Sequence, residues 1–161
     1  AGGAAGGGGR RSGGLAPGQF RHVFALDEAA LVKSGMRSMA IDAPRSAPCR
    51  VSLLDADPGE RVVLLHYAHQ TAYTPYRSAG PIFVSEGAKE AYDRIDELPQ
   101  IFADRPLSVR AYDNEGMIVD ADVAHSDPRK LFDRYFSDAS TDYIHVHLAR
   151  RGGFACRVDR A

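Results

Sequence analysis

Two histidines, His145 and His147, stand two residues apart in the alternating run Tyr143-Ile144-His145-Val146-His147-Leu148. In an extended strand, side chains at i and i+2 leave the same face about 7 Å apart along the backbone. Both imidazoles should therefore share one surface with Tyr143. That spacing suits two metal ligands, and His66 and His69 could complete such a set. Against a metal, no carboxylate sits at a matching local spacing and no zinc motif is present, so no metal and no cofactor are expected. Phe154, Cys156 and Val158 resume an apolar alternation after the turn Arg150-Arg151-Gly152-Gly153. With Leu148 opposite Phe154, His147 opposes Ala155 and His145 opposes Arg157. A small alanine would leave space over His147, and the guanidinium of Arg157 would stand beside His145. Such a surface accepts an anion more readily than a second cation.

Other residues carry weaker signals. Arg110 lies between Ser108 and Tyr112 on a strand, with Asp120 expected as a diagonal neighbour. It reads either as a cross-strand ion pair of little worth or as an arginine held for a carboxylate or phosphate. Cys49 adjoins Arg50, and a neighbouring cation favours thiolate; with a histidine nearby this could be a nucleophile pair. The plainer reading is a small buried hydrophobe, with Arg50 on the opposite face of the strand. Cys156, at strand period between Phe154 and Val158, reads as core. Asp120 and Asp122 lack any motif for glycosidic chemistry. The segment from His69 to Gly80 carries Tyr73, Tyr76 and Arg77 and reads as a polar loop between strands, where function concentrates. The candidate ligand-binding set is thus Arg50, His69, Tyr76, Arg110, His145, His147 and Arg157. No Walker loop, dinucleotide fingerprint, serine nucleophile elbow or paired CxxC is present.

The elements that must position these residues follow from patterning. Asp27 caps a short helix to Lys33 that Gly35 ends. Met36 to Pro48 reads as irregular, with Pro44 and Pro48 barring a long element. Strands are expected at Cys49 to Leu54, Arg61 to Tyr67 and Pro81 to Ser85, the second apolar on both faces and hence central. Asp55 to Glu60 is a turn. Ala88 to Asp93 and Leu98 to Ala103 each suit a turn or two of helix. Pro106 to Tyr112 and Met117 to Val123 make a hairpin, in which Ala111, Val109 and Leu107 would face Met117, Val119 and Ala121. Ser126-Asp127-Pro128 starts a helix whose buried stripe is Leu131, Phe132, Tyr135 and Phe136. The sum is a single α+β domain, a mostly antiparallel sheet with hairpins and a few short helices.

Bulk properties bound the partners. The 161 residues fit one domain, with 44% hydrophobic and 25% charged residues and a net charge of −1. Residues 1–18 hold nine of the sixteen glycines, so 1–19 is expected to be a disordered tail and 20–161 the domain. Without the tail the chain has 18 basic and 21 acidic residues, a net charge of −3. No basic stripe for nucleic acid is visible. Arginine outnumbers lysine 17 to 3, which reflects GC-rich codons before it reflects function. Two cysteines are too few for a disulfide scaffold. No signal-peptide core stands near the start, and the longest strongly apolar run, Val62 to Leu65, is too short for a bilayer. The expected compartment is the cytoplasm, with both thiols reduced.

An ordered set of short motifs adds to this. Pro48-Cys49-Arg50-Val51-Ser52-Leu53, Asp57-Pro58-Gly59-Glu60, Tyr76 and Gly80-Pro81-Ile82-Phe83-Val84 come first. Arg105, Arg110-Ala111-Tyr112-Asp113 and the ending around Tyr143-Ile144-His145-Val146-His147 follow. From about Phe20 to Arg160 the chain resembles the bacterial family called domain of unknown function 1203. The resemblance implies a shared fold and a cysteine, in many members, where this chain has Gly153. It implies no activity and no catalytic residues.

Two functional classes remain open from the residues. One is a binding or sensing module for a small polar or anionic ligand. The other is a small enzyme, a hydrolase or isomerase with histidine as general base, with or without metal assistance. A subunit whose tyrosines form a protein interface, including one between copies of the chain, is the blander third reading.

Overall fold

A computed structural model describes residues 9–161. It is an α+β fold of two antiparallel sheets with short helices. The chain opens with β1 (Arg10–Gly13), a 3-10 turn at Pro17–Phe20, α1 (Arg21–Phe24) and α2 (Glu28–Lys33). Next come β2 (Arg37–Ala40), β3 (Arg61–Gln70), β4 (Ser78–Ser85), β5 (Asp93–Ile95) and a second 3-10 turn, Gln100–Phe102. The chain closes with β6 (Pro106–Tyr112), β7 (Ile118–His125), α3 (Arg129–Phe136), β8 (Tyr143–Leu148) and β9 (Phe154–Arg160). The large sheet runs β5-β1-β9-β8-β6-β7 and the small one β2-β3-β4.

The alternation of β8 does what its sequence demands. Ile144, Val146 and Leu148 join Leu107, Val109, Ala111, Cys156 and Val158 in one core. Helix α3 covers this face with Phe132 and Tyr135, whose hydroxyl donates to the Val109 carbonyl at 3.0 Å. The small sheet buries Val63, Leu65, Ile82 and Val84 against Phe20, Val23 and Leu31. The other face of the same strands buries Val62 and Phe83 beside Ile41, Ala47 and Ala56. Apolar residues on both faces thus mark β3 as the central strand of its sheet, as patterning predicts. Asp27 caps α2 by accepting from the Ala30 amide at 2.8 Å.

Several expectations are corrected. The segment Arg10–Gly13, placed by composition in a disordered tail, is a strand hydrogen-bonded between β9 and β5; residues 1–8 of that tail lie outside the described residues. Two flanking ladders and the packing of Arg10 over the Phe132 ring outweigh the poor strand propensity of glycine there. Glycine is in fact required at Gly14, where any Cβ would run into the Val51 carbonyl. Met36 to Pro48 is less irregular than expected, since it contains β2. Cys49–Leu54 is a tight turn, closed by the Leu53 amide on the Cys49 carbonyl at 3.0 Å, with Leu53 at φ 54°. Ala88 to Asp93 forms no helix, and the polar loop shrinks to 71–77 as β3 and β4 extend into it.

Both hairpin registers also differ. Val109 faces Asp122 and Ala111 faces Asp120, with a bulge before Tyr112. Asp120 and Asp122 therefore share the α3 face, where both pair with Arg134, and Asp120 is no partner of Arg110. In the C-terminal hairpin, His145 opposes Arg157 as expected, but a bulge at Ala155 sets His147 opposite Phe154. Ala155 turns into the α3 core. The extra residue of a bulge flips one side chain and is invisible to a strict two-residue period.

Candidate functional site

The predicted residues fall into two neighbouring groups on either side of the turn between β8 and β9. The first is a packed layer on the face of the large sheet opposite α3. His145 and His147 are buried, at 4% and 1% exposure. His69, brought across from β3, stands with its ring 4.8 Å from that of His147 and 6.1 Å from that of His145. Phe154 stacks on His69 at 5.3 Å and fills the space that an opposing alanine would have left. Tyr112 and Tyr143 close the other side, and Gln70 donates to the Tyr143 hydroxyl at 2.8 Å.

Hydrogen bonding fixes the state of His147. Its Nδ1 lies 2.9 Å from the Gly152 carbonyl and must donate. Its Nε2 is then an acceptor, and Arg110 Nη1 donates to it at 3.3 Å. The imidazole is neutral, with a pKa lowered to about 4, chiefly by burial and then by Arg110, against the Gly152 hydrogen bond. Burial, then His147, His69 and the guanidinium of Arg157, push His145 down to about 3. His69 shifts the same way, by burial and by Arg110. His145 Nδ1 and His69 Nε2 are buried and make no hydrogen bond to protein. Among the described residues, no three His, Cys, Asp or Glu side chains are grouped to hold a metal ion. His66 is exposed on β3.

Two members of the predicted set sit at the margin of this layer. Arg157 is exposed, lies 4.2 Å over the Tyr143 ring and pairs with Asp159 at 2.9 Å. Tyr76, 39% exposed, meets Tyr112 edge-on at 6.5 Å. The layer is closely packed rather than open.

The second group surrounds Arg50, and it is a cleft of about 260 Å³. Because Cys49–Leu54 is a turn, Arg50 does not project from a strand face. It is 4% exposed, with Nε donating to the Phe154 carbonyl at 2.6 Å and Nη1 to the Pro48 carbonyl. Burial lowers its pKa from 12.5 to about 10, opposed by Cys49 and reinforced by Arg105, so it remains a cation at neutral pH. Gly153 permits this position, for a Cβ there would stand 2.8 Å from Arg50 Nη2. Arg45, Arg105, Arg150 and Arg151 line the same cleft, over an apolar floor of Pro48, Phe83, Pro106 and Leu148.

One of these arginines is neutralised. Arg105 holds Asp55 through two hydrogen bonds of 2.7 and 3.1 Å. Among the described residues, no carboxylate stands within ion-pair distance of Arg45, Arg50, Arg150 or Arg151. Arg45 also holds a left-handed backbone, φ 58°, an uncommon conformation for a side chain of its size. Four unneutralised guanidiniums around one concavity form a strong local positive potential.

Sequence reasoning found Arg50 and missed the rest of the cleft. Arg45, Arg105 and the Arg150-Arg151 pair lie far apart in sequence and meet only through the fold. The signal that pointed to them was the double arginine in the β8–β9 turn, which read as mere punctuation. Cys49 and Cys156 are both buried and unpaired. Cys49 Sγ accepts from the Ser85 amide at 3.3 Å, and burial pushes the Cys156 thiol up to about 12.

The model of the domain of unknown function 1203, described as a protein of unknown function, matches residues 46–160. The chain belongs to the DUF1203 family. Its matched span contains Arg50, Arg105, Arg150 and Arg151, as well as the whole histidine layer; Arg45 lies one residue outside it. No curated protein and no solved structure matches the chain. No helix among the described residues is long and apolar enough to cross a membrane.

Proposed function

We propose that this DUF1203 domain is a binding module for a small anionic ligand, held in the arginine-lined cleft around Arg50. The observation that carries this reading is Arg50 itself. A guanidinium is costly to bury, and one without a carboxylate partner is rare unless something else supplies the negative charge. Arg50 is a buried member of the lining of a cleft that three further unpaired arginines line.

The lining favours binding over catalysis. Arginine does not exchange a proton near neutral pH. The one hydroxyl in the cleft, Ser46 Oγ, donates to the Ala43 carbonyl at 2.8 Å and has no base beside it. The alternative, an enzyme with histidine as general base, finds less support. His145 and His147 lie behind the β8–β9 turn, outside the cleft lining, with the donor and acceptor of His147 both engaged. We also propose a bacterial cytoplasm as its compartment, where two unpaired buried thiols would stay reduced.

Calorimetric titration of the whole chain with inorganic phosphate tests it. Wild type should bind, Arg50→Met should bind at least about tenfold more weakly, as loss of one charge-assisted hydrogen bond implies, and His147→Gln should bind like wild type. Retained affinity in Arg50→Met would place the site elsewhere.

A further inference from the structure

The cleft has two chemically distinct walls, and together they specify a class of ligand. Its rim carries the unneutralised guanidiniums of Arg45, Arg150 and Arg151, with Arg50 at depth. Its floor is the apolar surface of Phe83, Leu148 and Pro106. Resting on the anion-binding reading above, we infer that the cleft takes a small soluble phosphate monoester whose ester group is a single ring or short hydrocarbon.

Charge decides for phosphate over carboxylate. A carboxylate brings one charge and two oxygens, enough for one arginine fork. A phosphate monoester at pH 7 brings about −1.5 to −2 and three terminal oxygens, which can engage Arg50 and rim arginines together. Its fourth oxygen leads to the ester group and gives it one direction, onto the floor.

Size decides for a small ester. An apolar cavity of about 150 Å³ accommodates benzene. The cleft, at about 260 Å³, has room for one such ring and a phosphate. It lies below the usual range of about 300–1,000 Å³ for larger ligands. A phosphorylated lipid would offer the same headgroup chemistry, and flotation with vesicles separates it from a soluble ester.

The experiment uses the whole chain at pH 7.5 and three probes: phenyl phosphate, benzoate and inorganic phosphate. Calorimetry should show phenyl phosphate binding at least about tenfold tighter than either of the others, since inorganic phosphate lacks the ring and benzoate brings one charge and two oxygens to the arginines. Arg50→Met should abolish that preference. Arg150→Ser with Arg151→Ser, two exposed positions that leave the core intact, should weaken phenyl phosphate more than benzoate. Lowering the pH to 5 should weaken phenyl phosphate as its dianion takes up a proton, with a pKa of about 6, and leave benzoate nearly unchanged. Benzoate binding as tightly as phenyl phosphate overturns the dianion assignment. Inorganic phosphate binding as tightly overturns the role of the floor. Either result leaves the anion-binding reading standing, whereas failure of all three probes overturns both. Flotation with vesicles of phosphatidate in phosphatidylcholine should leave the protein unbound, and capture by them overturns the assignment to a small soluble ligand.

Discussion

Lowering the pH from 7.5 to 5 should destabilise this domain before most of its carboxylates titrate. His145 and His147 are buried in the neutral form, with pKa values lowered to about 3 and about 4 from an ordinary 6.5. In the unfolded chain both titrate near 6.5. Below that value the unfolded state binds more protons than the folded one, so stability falls as pH falls. The loss for each group begins near 6.5 and levels off only below its folded value. At pH 5 the gap from 6.5 is about 1.5 units, worth about 2 kcal/mol per histidine at 1.36 kcal/mol per unit. Together they withdraw about 4 kcal/mol, a large share of the roughly 5–15 kcal/mol expected of a whole domain. His69 shifts in the same direction and adds to the loss. Urea denaturation at pH 7.5, 6.5, 5.5 and 5.0 measures the effect. His145→Gln keeps most of the volume without the titration, and its stability should fall by about 2 kcal/mol less over the same interval. A wild-type stability that stays constant from pH 7.5 to 5, or a slope unchanged in His145→Gln with His147→Gln, refutes the reasoning.

Three further outcomes follow from the packing. Removing residues through Gly13 deletes the strand between β9 and β5 and should cost about 3 kcal/mol or more in lost ladder hydrogen bonds, seen as a melting temperature lower by roughly 10 °C; an unchanged melting temperature would contradict the observed strand. Gly14→Ala drives a Cβ into the Val51 carbonyl, which is backbone and cannot yield, so thermal denaturation should show a loss of roughly 1–3 kcal/mol. Thiol titration without reductant should find no reactive group in the native protein and two in denaturant, because Cys49 and Cys156 are buried and unpaired; fast native labelling would show that one of them is reachable.

The strands with strict alternation were legible before folding was considered. Ile144, Val146 and Leu148 turn to the core while Tyr143, His145 and His147 turn away, and β6 keeps its predicted bounds. The continuous apolar run of β3 likewise reads correctly as a central strand. What the sequence hid depends on events without a period. The β6–β7 register lies three residues from the expected one, with a bulge after Ala111, and the bulge at Ala155 moves the partner of His147 by one, which changes the neighbours of Arg110 and of His147. β1 is glycine-bearing and short, so only its pairing partners reveal it. The site followed the same rule. The histidine face was foreseen because its members are local to one strand. Its interpretation was not, because Phe154 and His69 arrive from elsewhere and close it. The arginine cleft was hidden for the converse reason: Arg45, Arg50, Arg105 and Arg150 come from four separate segments, and only their convergence makes a positive concavity.

The most direct test is to observe the arginines themselves during anion binding. In the nitrogen-15-labelled chain, the Arg50 Nε–H donates to the Phe154 carbonyl in a buried setting, which should give a slowly exchanging resonance visible by NMR. Titration with phenyl phosphate should shift that resonance, together with those of Arg45, Arg150 and Arg151, while Arg134 and Arg157, held by aspartates elsewhere, stay in place. Shifts confined to Arg110 and Arg157, with Arg50 unmoved, would put the ligand on the histidine face and contradict the assignment of the cleft.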